Sequence, residues 1–253
     1  MLKIAVKILL GFLSLGLVVL GYVAFIYLRV DVDQLNTKQV QYNSKTQSYE
    51  LLKLSKNWTP IDQISNVAKW AVVISEDWAF YEHHGIDFNQ LEIVIEESIE
   101  EKELVRGAST ITQQVAKNIY LSNERSIFRK IKEAIIAYKL ESNLSKEVIL
   151  AHYLNLIHLG EGIHGIKQAS RHYFNKSPSN LNAREGAFLA MLLPSPVKYS
   201  TSFRKKELTP FATKIIESIL RKLKQAKIIT AEEMQSQLDD QFGWETSSFD
   251  WYL

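Results

Sequence analysis

A long apolar stretch near the amino terminus restricts most strongly how this chain can fold. The 21 residues from Ile8 to Leu28 carry no charge and are mostly Leu, Ile, Val and Phe. As a helix rising about 1.5 Å per residue, the stretch reaches about 30 Å, the thickness of the hydrocarbon core of a bilayer. It continues into Arg29 without the small-residue cleavage site of a signal peptide. The sequence therefore predicts a single uncleaved membrane-spanning helix; a buried hairpin of a soluble core is the less typical alternative.

The charges on either side of this stretch predict its orientation. Lys3, Lys7 and the amino group precede it, whereas Arg29 is offset by Asp31 and Asp33. Because positive charge is enriched on the cytoplasmic side of membrane spans, we expect the amino terminus in the cytoplasm and the remaining chain outside. The expected organisation is a cytoplasmic terminus (1–7), an anchor (8–28), a polar stalk (29–58) and one domain (59–253).

Composition limits the classes of function. The chain has 253 residues, of which 46% are hydrophobic, a net charge of +2 and no cysteine. This length and apolar content suffice for a sizeable core in one domain beyond an anchor. The small net charge gives no case for a nucleic-acid partner. The lack of cysteine excludes disulfides, thiol catalysis and cysteine-based zinc sites.

Helical periodicity dominates the chain from Pro60 onward. Four apolar stripes recur at the spacing of one helical face and predict the buried sides of successive helices. They are Val67, Trp70, Ala71 and Ile74; Leu91, Val94, Ile95 and Ile99; Ile111, Val115 and Ile119; and Ile127, Ile131, Ile135 and Tyr138. Capping residues predict helix starts, at Asp87, Thr110, Ser145, Asn182, Thr209 and Thr230. No alternating strand pattern stands out, so the predicted fold class is mainly α.

Two polar stretches interrupt these apolar patterns. Ser75 to Asp87, SEDWAFYEHHGID, places the adjacent carboxylates of Glu76 and Asp77 at the end of an apolar helix. The stretch from position 106 to 118, RGASTITQQVAKN, gathers hydroxyls, two carboxamides, a lysine and an asparagine at a helix start. Such donors and acceptors suit the binding of sugars and phosphates. Together the two stretches predict a sugar-handling site.

These stretches resemble motifs of the peptidoglycan glycosyltransferases found in class A penicillin-binding proteins and their monofunctional relatives. The E-D-x-x-F-x-x-H-x-G-x-D motif is matched by Glu76, Asp77, Phe80, His83, Gly85 and Asp87. The G-x-S-T-I-T-Q-Q-x-x-K-N motif is matched from Gly107 to Asn118. Two further motifs, R-K-x-x-E and I-L-x-x-Y-L-N, are matched at 129–133 and 149–155. The resemblance covers nearly all of the chain beyond anchor and stalk.

The sequence departs from the family pattern at three places. Trp78 stands where the family usually carries a basic residue. His158 and His164 stand where its glycine-rich loop commonly has tyrosines. These departures concern the grip on donor or acceptor rather than the reaction.

The resemblance implies a lysozyme-like, mainly α glycosyltransferase domain preceded by a single transmembrane helix. Because no room remains for a transpeptidase domain with an S-x-x-K nucleophile, we expect the monofunctional form. The family polymerises lipid II into linear peptidoglycan strands for cell wall biogenesis and cell shape. The growing polyprenyl-diphosphate-linked glycan is transferred to the 4-hydroxyl of an acceptor lipid II, with inversion. The implied location is the bacterial inner membrane, single-pass, with the catalytic domain on the periplasmic side.

Such a displacement needs a base, a cationic cradle for the diphosphate and groups that hold the sugars. Glu76 is the predicted general base, because burial and the adjacent Asp77 would raise its pKa. Glu133 is the second catalytic candidate; it would orient the basic cluster or assist the leaving group. The predicted substrate-binding residues are Asp77, Phe80, His83, Ser109, Gln113, Gln114, Lys117, Asn118, Arg125, Arg129, Lys130 and Lys132. Among them Lys117 and Arg125 are the favoured diphosphate ligands.

Each assignment has a structural alternative. Glu76 and Asp77 could form surface salt bridges or cap a neighbouring helix. The cations could form a solvated basic face or attract lipid headgroups. Glu133 could form a helix salt bridge to Arg129. Phe80 and the other aromatic residues near the site could belong to the core.

We predict neither a metal site nor a required cofactor. The adjacent His83 and His84 lack the spacing of zinc ligands. A divalent cation, Mg²⁺ or Mn²⁺, could bridge diphosphate oxygens, although the basic cluster could do so alone. Expected partners are lipid II, the growing glycan strand, the membrane, and cell-division or elongation proteins. Two alternative functions are a lysozyme-like glycan-cleaving enzyme, which would have no diphosphate to hold, and a non-catalytic lipid II-binding scaffold.

Overall fold

A computed structural model describes residues 2–101, 107, 109–122, 124 and 126–245. Within this part of the chain the architecture is mainly α, as predicted. The long helices are α1 (Leu2–Arg29), α2 (Asn66–Glu76), α3 (Phe88–Glu100), α4 (Ile111–Tyr120), α5 (Ile127–Asn143), α6 (Lys146–Leu156), α7 (Ile166–Phe174), α8 (Ala183–Leu192), α11 (Pro210–Gln225) and α12 (Ala231–Asp239). Short helices α9 (Pro196–Tyr199) and α10 (Thr201–Lys205) precede α11. The strands form two small hairpins, β1 (Gln39–Asn43) with β2 (Ser48–Leu52), and β3 (His158–Gly160) with β4 (Ile163–His164).

Helix α1 has the properties of a membrane anchor. Helix α1 is long and apolar enough to cross a bilayer, and only 6% of its most apolar window is buried against the protein. Its carboxyl end packs on the domain, where Ile26 is buried. The Lys139 ammonium of α5 donates to the carbonyls of Tyr27 at 2.5 Å and Val30 at 2.7 Å. A lysine there satisfies carbonyls that a helix end leaves without partners.

The segment predicted as a polar stalk (29–58) is folded onto the domain. Val32, Leu35 and Val40 are buried in the core. Strand β1 pairs antiparallel with β2 from Gln39↔Leu52 to Asn43↔Ser48. The stalk prediction was wrong because the few apolar residues of this segment show no helical period and the alternation in each strand is very short. Tertiary burial, rather than a local pattern, orders this hairpin.

Helix α2 lies in the centre of the domain and presents the first motif. Its residues Ala68, Ala71 and Ile74 are buried. A Cβ atom on Gly186 of α8 would lie only 2.7 Å from the Ala68 Cα. The two backbones therefore meet at a glycine and small side chains, as close helix packing requires. This packing fixes the end of α2, where Glu76 lies.

Two of the four predicted apolar stripes are not core. The stripes of α2 and α4 are buried or partly buried, as predicted. On α3, however, only Val94 is buried, while Ile95 and Ile99 are exposed. On α5, Ile127 is 80% exposed, and Ile131 and Tyr138 are also exposed. Periodicity identifies an apolar face but not what covers it, so these two predictions were wrong about burial.

The predicted helix starts are confirmed. Thr110, Asn182 and Thr230 form complete capping boxes with the residue three positions later. Asp87 accepts from the Gln90 amide at 2.9 Å, which forms half of the predicted box. Each cap satisfies amides that the first turn of a helix leaves unpaired.

Candidate active site

Glu76 occupies the last turn of α2, with its carboxylate bound by two other helices. Its Oε2 accepts from Nε2 of Gln114 on α4 at 2.9 Å and from the Tyr153 hydroxyl on α6 at 3.3 Å. Burial raises the pKa of Glu76, the two hydrogen bonds oppose this, and the charge of Asp77 adds to the increase. The helix carboxyl terminus also disfavours a negative charge. Glu76 is therefore a stronger base than an ordinary carboxylate, which suits proton abstraction.

The Asp77 carboxylate belongs to an internal hydrogen-bond network. It is buried, and its carboxylate accepts from His83 Nε2 at 2.9 Å and from the Ile111 amide at 2.8 Å. The Gly85 amide donates to His83 Nδ1 at 3.2 Å, so the ring proton lies on Nε2 and is donated to Asp77. Asp77 thus caps the start of α4, which is the structural alternative considered for this residue. Direct substrate contact by Asp77 and His83 stays a prediction.

Gly85 brings this network against α5. Its φ of +91° is in the left-handed region that favours glycine. A Cβ atom there would lie 3.0 Å from the main-chain carbonyl of Ala137. The Gly85 carbonyl in turn accepts from the Thr110 hydroxyl at 2.6 Å. The turn of the first motif and the cap of the second are therefore one structural unit.

The carboxamides of α4 have different surroundings. Gln113 is buried, and its side-chain oxygen accepts from the Thr110 amide at 3.0 Å to complete the capping box. Gln114 faces Glu76, and Asn118 donates to the Gln114 carbonyl at 2.8 Å. Lys117 is exposed. Gln114 therefore contacts the predicted base, whereas Gln113 serves the helix start. Substrate binding by Lys117 and Gln113 stays a prediction.

Glu133 is buried beneath two cations of its own helix. Arg129 Nη1 donates to its Oε2 at 2.7 Å, and Lys130 forms an ion pair with its Oε1. Lys130 also donates to the Ser109 hydroxyl at 2.9 Å, just before α4. The predicted salt bridge to Arg129 is therefore present, and Glu133 orients both cations. Lys132 is half-buried on the same helix, and the predicted ligand Arg125 lies outside the described residues.

Two aromatic residues of the first motif differ in exposure. Phe80 is fully buried and packs against Tyr81. It has no surface to offer a substrate, so the prediction of substrate binding by Phe80 is corrected to a core role. Trp78, beside Asp77, is 49% exposed. An exposed tryptophan is available for contact with a ligand.

Sequence reasoning gave no role to Tyr153, although it belongs to the quoted Y-L-N motif. It is fully buried. Burial and the neighbouring Glu76 raise the pKa of its hydroxyl well above the ordinary value, so it acts as a hydrogen-bond donor. Its helical spacing predicts burial but cannot show that its hydroxyl reaches another helix. Asn155 of the same motif instead binds the Thr59 backbone, at 2.8 and 2.9 Å.

The two histidines that depart from the family pattern form a ring stack. The His164 ring lies 3.5 Å from the Tyr42 ring and 4.9 Å from that of His158. Burial, with a contribution from His158, lowers the pKa of His164 to about 4. His164 is therefore neutral near pH 7 and joins the β1–β2 hairpin to the glycine-rich loop.

In the described part of the chain no group of three or more His, Asp or Glu side chains is placed to hold a metal ion. The cations Arg129 and Lys130 of α5 are instead held together by Glu133. Binding of a divalent cation at the diphosphate stays a prediction.

The chain is similar to proteins of one known family. The family model described as Transglycosylase matches residues 44–224. A protein named biosynthetic peptidoglycan transglycosylase from Nitrosomonas eutropha is 40% identical over 176 residues, covering 70% of each chain. Proteins of the same name from Janthinobacterium sp. and Acinetobacter baylyi are 44% and 42% identical over 58% of this chain. These two matches span 64% and 65% of the relatives, slightly less than two thirds of their length.

The chain belongs to the transglycosylase family. It is an enzyme, a glycosyltransferase of peptidoglycan synthesis, which confirms the family and enzyme class predicted from the motifs. The helix α1 is compatible with the predicted single-pass anchor.

Proposed function

We propose that this chain polymerises lipid II into linear glycan strands at the outer face of a bacterial cytoplasmic membrane. The observation that carries the proposal is Glu76, a carboxylate with a raised pKa, held by Gln114 and Tyr153 at the end of the buried helix α2. The motif residues around it belong to a family whose relatives are named for peptidoglycan synthesis.

In the proposed reaction Glu76 removes the proton of the acceptor 4-hydroxyl. The hydroxyl oxygen forms a bond to the anomeric carbon of the donor while the bond from that carbon to the diphosphate oxygen breaks. The electron pair leaves with the polyprenyl diphosphate, and the proton stays on Glu76 until it is released to solvent. A single in-line attack inverts the anomeric centre and needs no covalent sugar–enzyme intermediate.

The cations near the start of α4 and α5 would stabilise the leaving group. Negative charge on the diphosphate grows as the sugar bond breaks, and fixed cations bind that charge better than mobile ones. Arg129 and Lys130 are held in place by Glu133. Lys117, twelve positions before Arg129 in the sequence, is exposed on α4. This arrangement favours transfer over glycan cleavage, which releases no diphosphate.

The exposed apolar residues support a location at the membrane surface. Helix α1 packs on α5 through the Lys139 contacts with Tyr27 and Val30. On α5 the side chains of Ile127 and Phe128 are 80% and 69% exposed. Large exposed apolar residues on the helix that packs against the anchor are suited to the lipid interface. The charge distribution around the anchor adds the orientation, with the domain outside.

The test is polymerisation of labelled lipid II by the purified full chain in detergent or liposomes. Glu76→Gln keeps the shape of the side chain but cannot accept the proton, so we expect loss of about 100-fold or more in rate. Glu207→Gln, on an exposed residue remote from the motifs, is the matched control and should polymerise like the parent.

Three results would contradict the proposal. Polymer formation unchanged in Glu76→Gln would remove Glu76 as the base. Shortening of preformed glycan strands without polymer formation would favour the cleaving alternative. Binding of lipid II by a folded parent that forms no polymer would favour the scaffold alternative.

A further inference from the structure

A buried ion pair lies outside the residues assigned to the reaction. Lys146, the first residue of α6, pairs with Glu141 of α5 at 2.7 Å. The side chains are 17% and 4% exposed, so both are largely removed from water. The Lys146 ammonium also lies 4.5 Å from the centre of the Phe80 ring. Breaking such an ion pair is strongly destabilising, because removal of either partner leaves a buried charge uncompensated.

Each partner of this pair contacts a different motif. Lys146 donates to the carbonyl of His83 at 2.8 Å, in the turn of the first motif. Glu141 accepts from the Thr112 hydroxyl at 2.5 Å, in the first turn of α4. The pair therefore connects the segment that follows Glu76 to the helix that carries Gln114.

These contacts close a ring of bonded groups. The ring runs through Glu76, Asp77, His83, Lys146, Glu141, Thr112 and Gln114. The chain itself supplies two of its links, from Glu76 to Asp77 and, along α4, from Thr112 to Gln114. Its members come from α2, the turn after α2, α6, α5 and α4, so no single helix sets the position of the carboxylate. A polar network of this kind rigidifies the groups that it joins when every member has a partner.

We propose that Lys146 and Glu141 are positioning residues for the reaction, which hold α4 so that Gln114 donates to Glu76. This inference rests on the proposed function. Neither residue touches the reacting atoms; each acts through Thr112 or His83. Gln114 of α4, Tyr153 of α6 and the adjacent Asp77 are the groups that affect Glu76. Gln114 lies on α4, which the pair secures through the Thr112 hydroxyl, whereas Tyr153 lies on α6, the helix of Lys146 itself.

Loss of the pair would change the base in a defined direction. A hydrogen bond donated to a carboxylate favours its ionised form. If α4 shifts and Gln114 no longer donates, a larger fraction of Glu76 is protonated at a given pH. The acid side of the pH–rate profile should then move to higher pH, and kcat should fall. KM should change little, because the pair does not contact substrate.

The test uses the full chain, lipid II polymerisation and four variants. Lys146→Met removes the charge, Thr112→Val removes only the link to α4, and Lys146→Arg keeps the charge. Lys176→Met is the matched control, because it removes the lysine of another ion pair, to Glu185 at 2.8 Å, away from the motifs. Circular dichroism and Tm measured for each variant give the folded fraction.

We expect Lys146→Met and Thr112→Val to lower kcat by about 10- to 100-fold with the acid limb at higher pH, as loss of positioning implies. Lys146→Arg should restore part of the rate, and Lys176→Met should match the parent. A fall in rate that equals the fall in folded fraction, with an unmoved acid limb, would overturn the inference. Unchanged rates in Lys146→Met and Thr112→Val would also overturn it. If the parent forms no polymer, the proposed function itself fails, so the two failures are distinguishable.

Discussion

The carboxylate of Glu76 and the carboxamide of Gln114 are joined by a hydrogen bond of 2.9 Å between α2 and α4. The two residues are 38 positions apart in the sequence and belong to different motifs. Their contact converts two separate sequence signals into one site. It also sets two opposing influences on Glu76, since burial raises its pKa while the Gln114 donor lowers it.

The raised pKa of Glu76 predicts a stability effect with a defined sign. The folded state holds the proton of Glu76 more tightly than the unfolded state, whose pKa is near the ordinary 4.5. The free energy of unfolding therefore falls as pH rises from about 4.5 through the raised value. Glu76→Gln removes this loss. We expect its Tm to exceed that of the parent at pH 8 and to approach the parent value at pH 4, measured by calorimetry.

Glu207→Gln serves again as the control, because an exposed carboxylate should show no such pH-dependent difference. A Glu76→Gln chain less stable than the parent at pH 8 would show that the ionised carboxylate contributes to the fold. Site residues that lower stability while serving a reaction are a known trade-off.

The Asp77–His83 contact predicts a coupled loss of stability. Asp77→Ala removes an acceptor of the His83 ring and of the Ile111 amide, both internal. Hydrogen bonds to buried charged groups contribute about 1.5–3 kcal/mol each, so we expect a cost of about 3 kcal/mol in denaturant unfolding. His83→Ala should cost less, because Asp77 keeps the Ile111 amide.

The double variant distinguishes this structural role from substrate binding. If the two residues stabilise the fold together, the double variant should cost about 1 kcal/mol or more less than the sum of the single costs. Additive costs would contradict the coupling. A normal stability with a raised KM for lipid II would instead favour the predicted contact with substrate.

The sequence predicted which residues belong to the site and where helices begin better than it predicted where side chains point. Glu76, the helix starts at Thr110 and Asn182 and the mainly α class could be predicted, because capping and motif spacing are local. The inward direction of Asp77 could not, since it depends on the Ile111 amide arriving from a distant segment. The exposed stripe containing Ile127 has the same period as a buried one, so periodicity alone could not show its surroundings.

Glu133 predicts a division between binding and chemistry. Its carboxylate orients Arg129 and Lys130, and Lys130 contacts Ser109. Glu133→Gln releases both cations from this arrangement, so we expect KM for lipid II to rise about 10-fold, as loss of second-sphere orientation typically does. Steady-state kinetics measured across lipid II concentrations give KM and kcat separately.

Glu185→Gln is the control for Glu133→Gln, because Glu185 is also buried and paired, to Lys176. Its kinetics should match those of the parent once corrected for folded fraction. A large fall in kcat with an unchanged KM in Glu133→Gln would contradict the orienting role and favour assistance to the leaving group.

Lys139 predicts that the anchor and the catalytic domain act as one body at the membrane. Its ammonium joins the carbonyls of Tyr27 and Val30 to α5, and its charge lies 4.8 Å from the Tyr27 ring. Lys139→Met keeps the length of the side chain but removes these contacts. We expect polymerisation in liposomes to fall about 10-fold because the site is less well held at the surface where lipid II lies. In detergent, where micelles adapt to the protein, we expect the rate of Lys139→Met to stay within about twofold of the parent rate.

Lys167→Met is the control, since Lys167 donates to the Lys56 carbonyl at 2.7 Å, away from the anchor. If Lys139→Met loses the same activity in liposomes and in detergent, Lys139 stabilises the domain itself. If the variant is as active as the parent in both, the anchor needs no such contact.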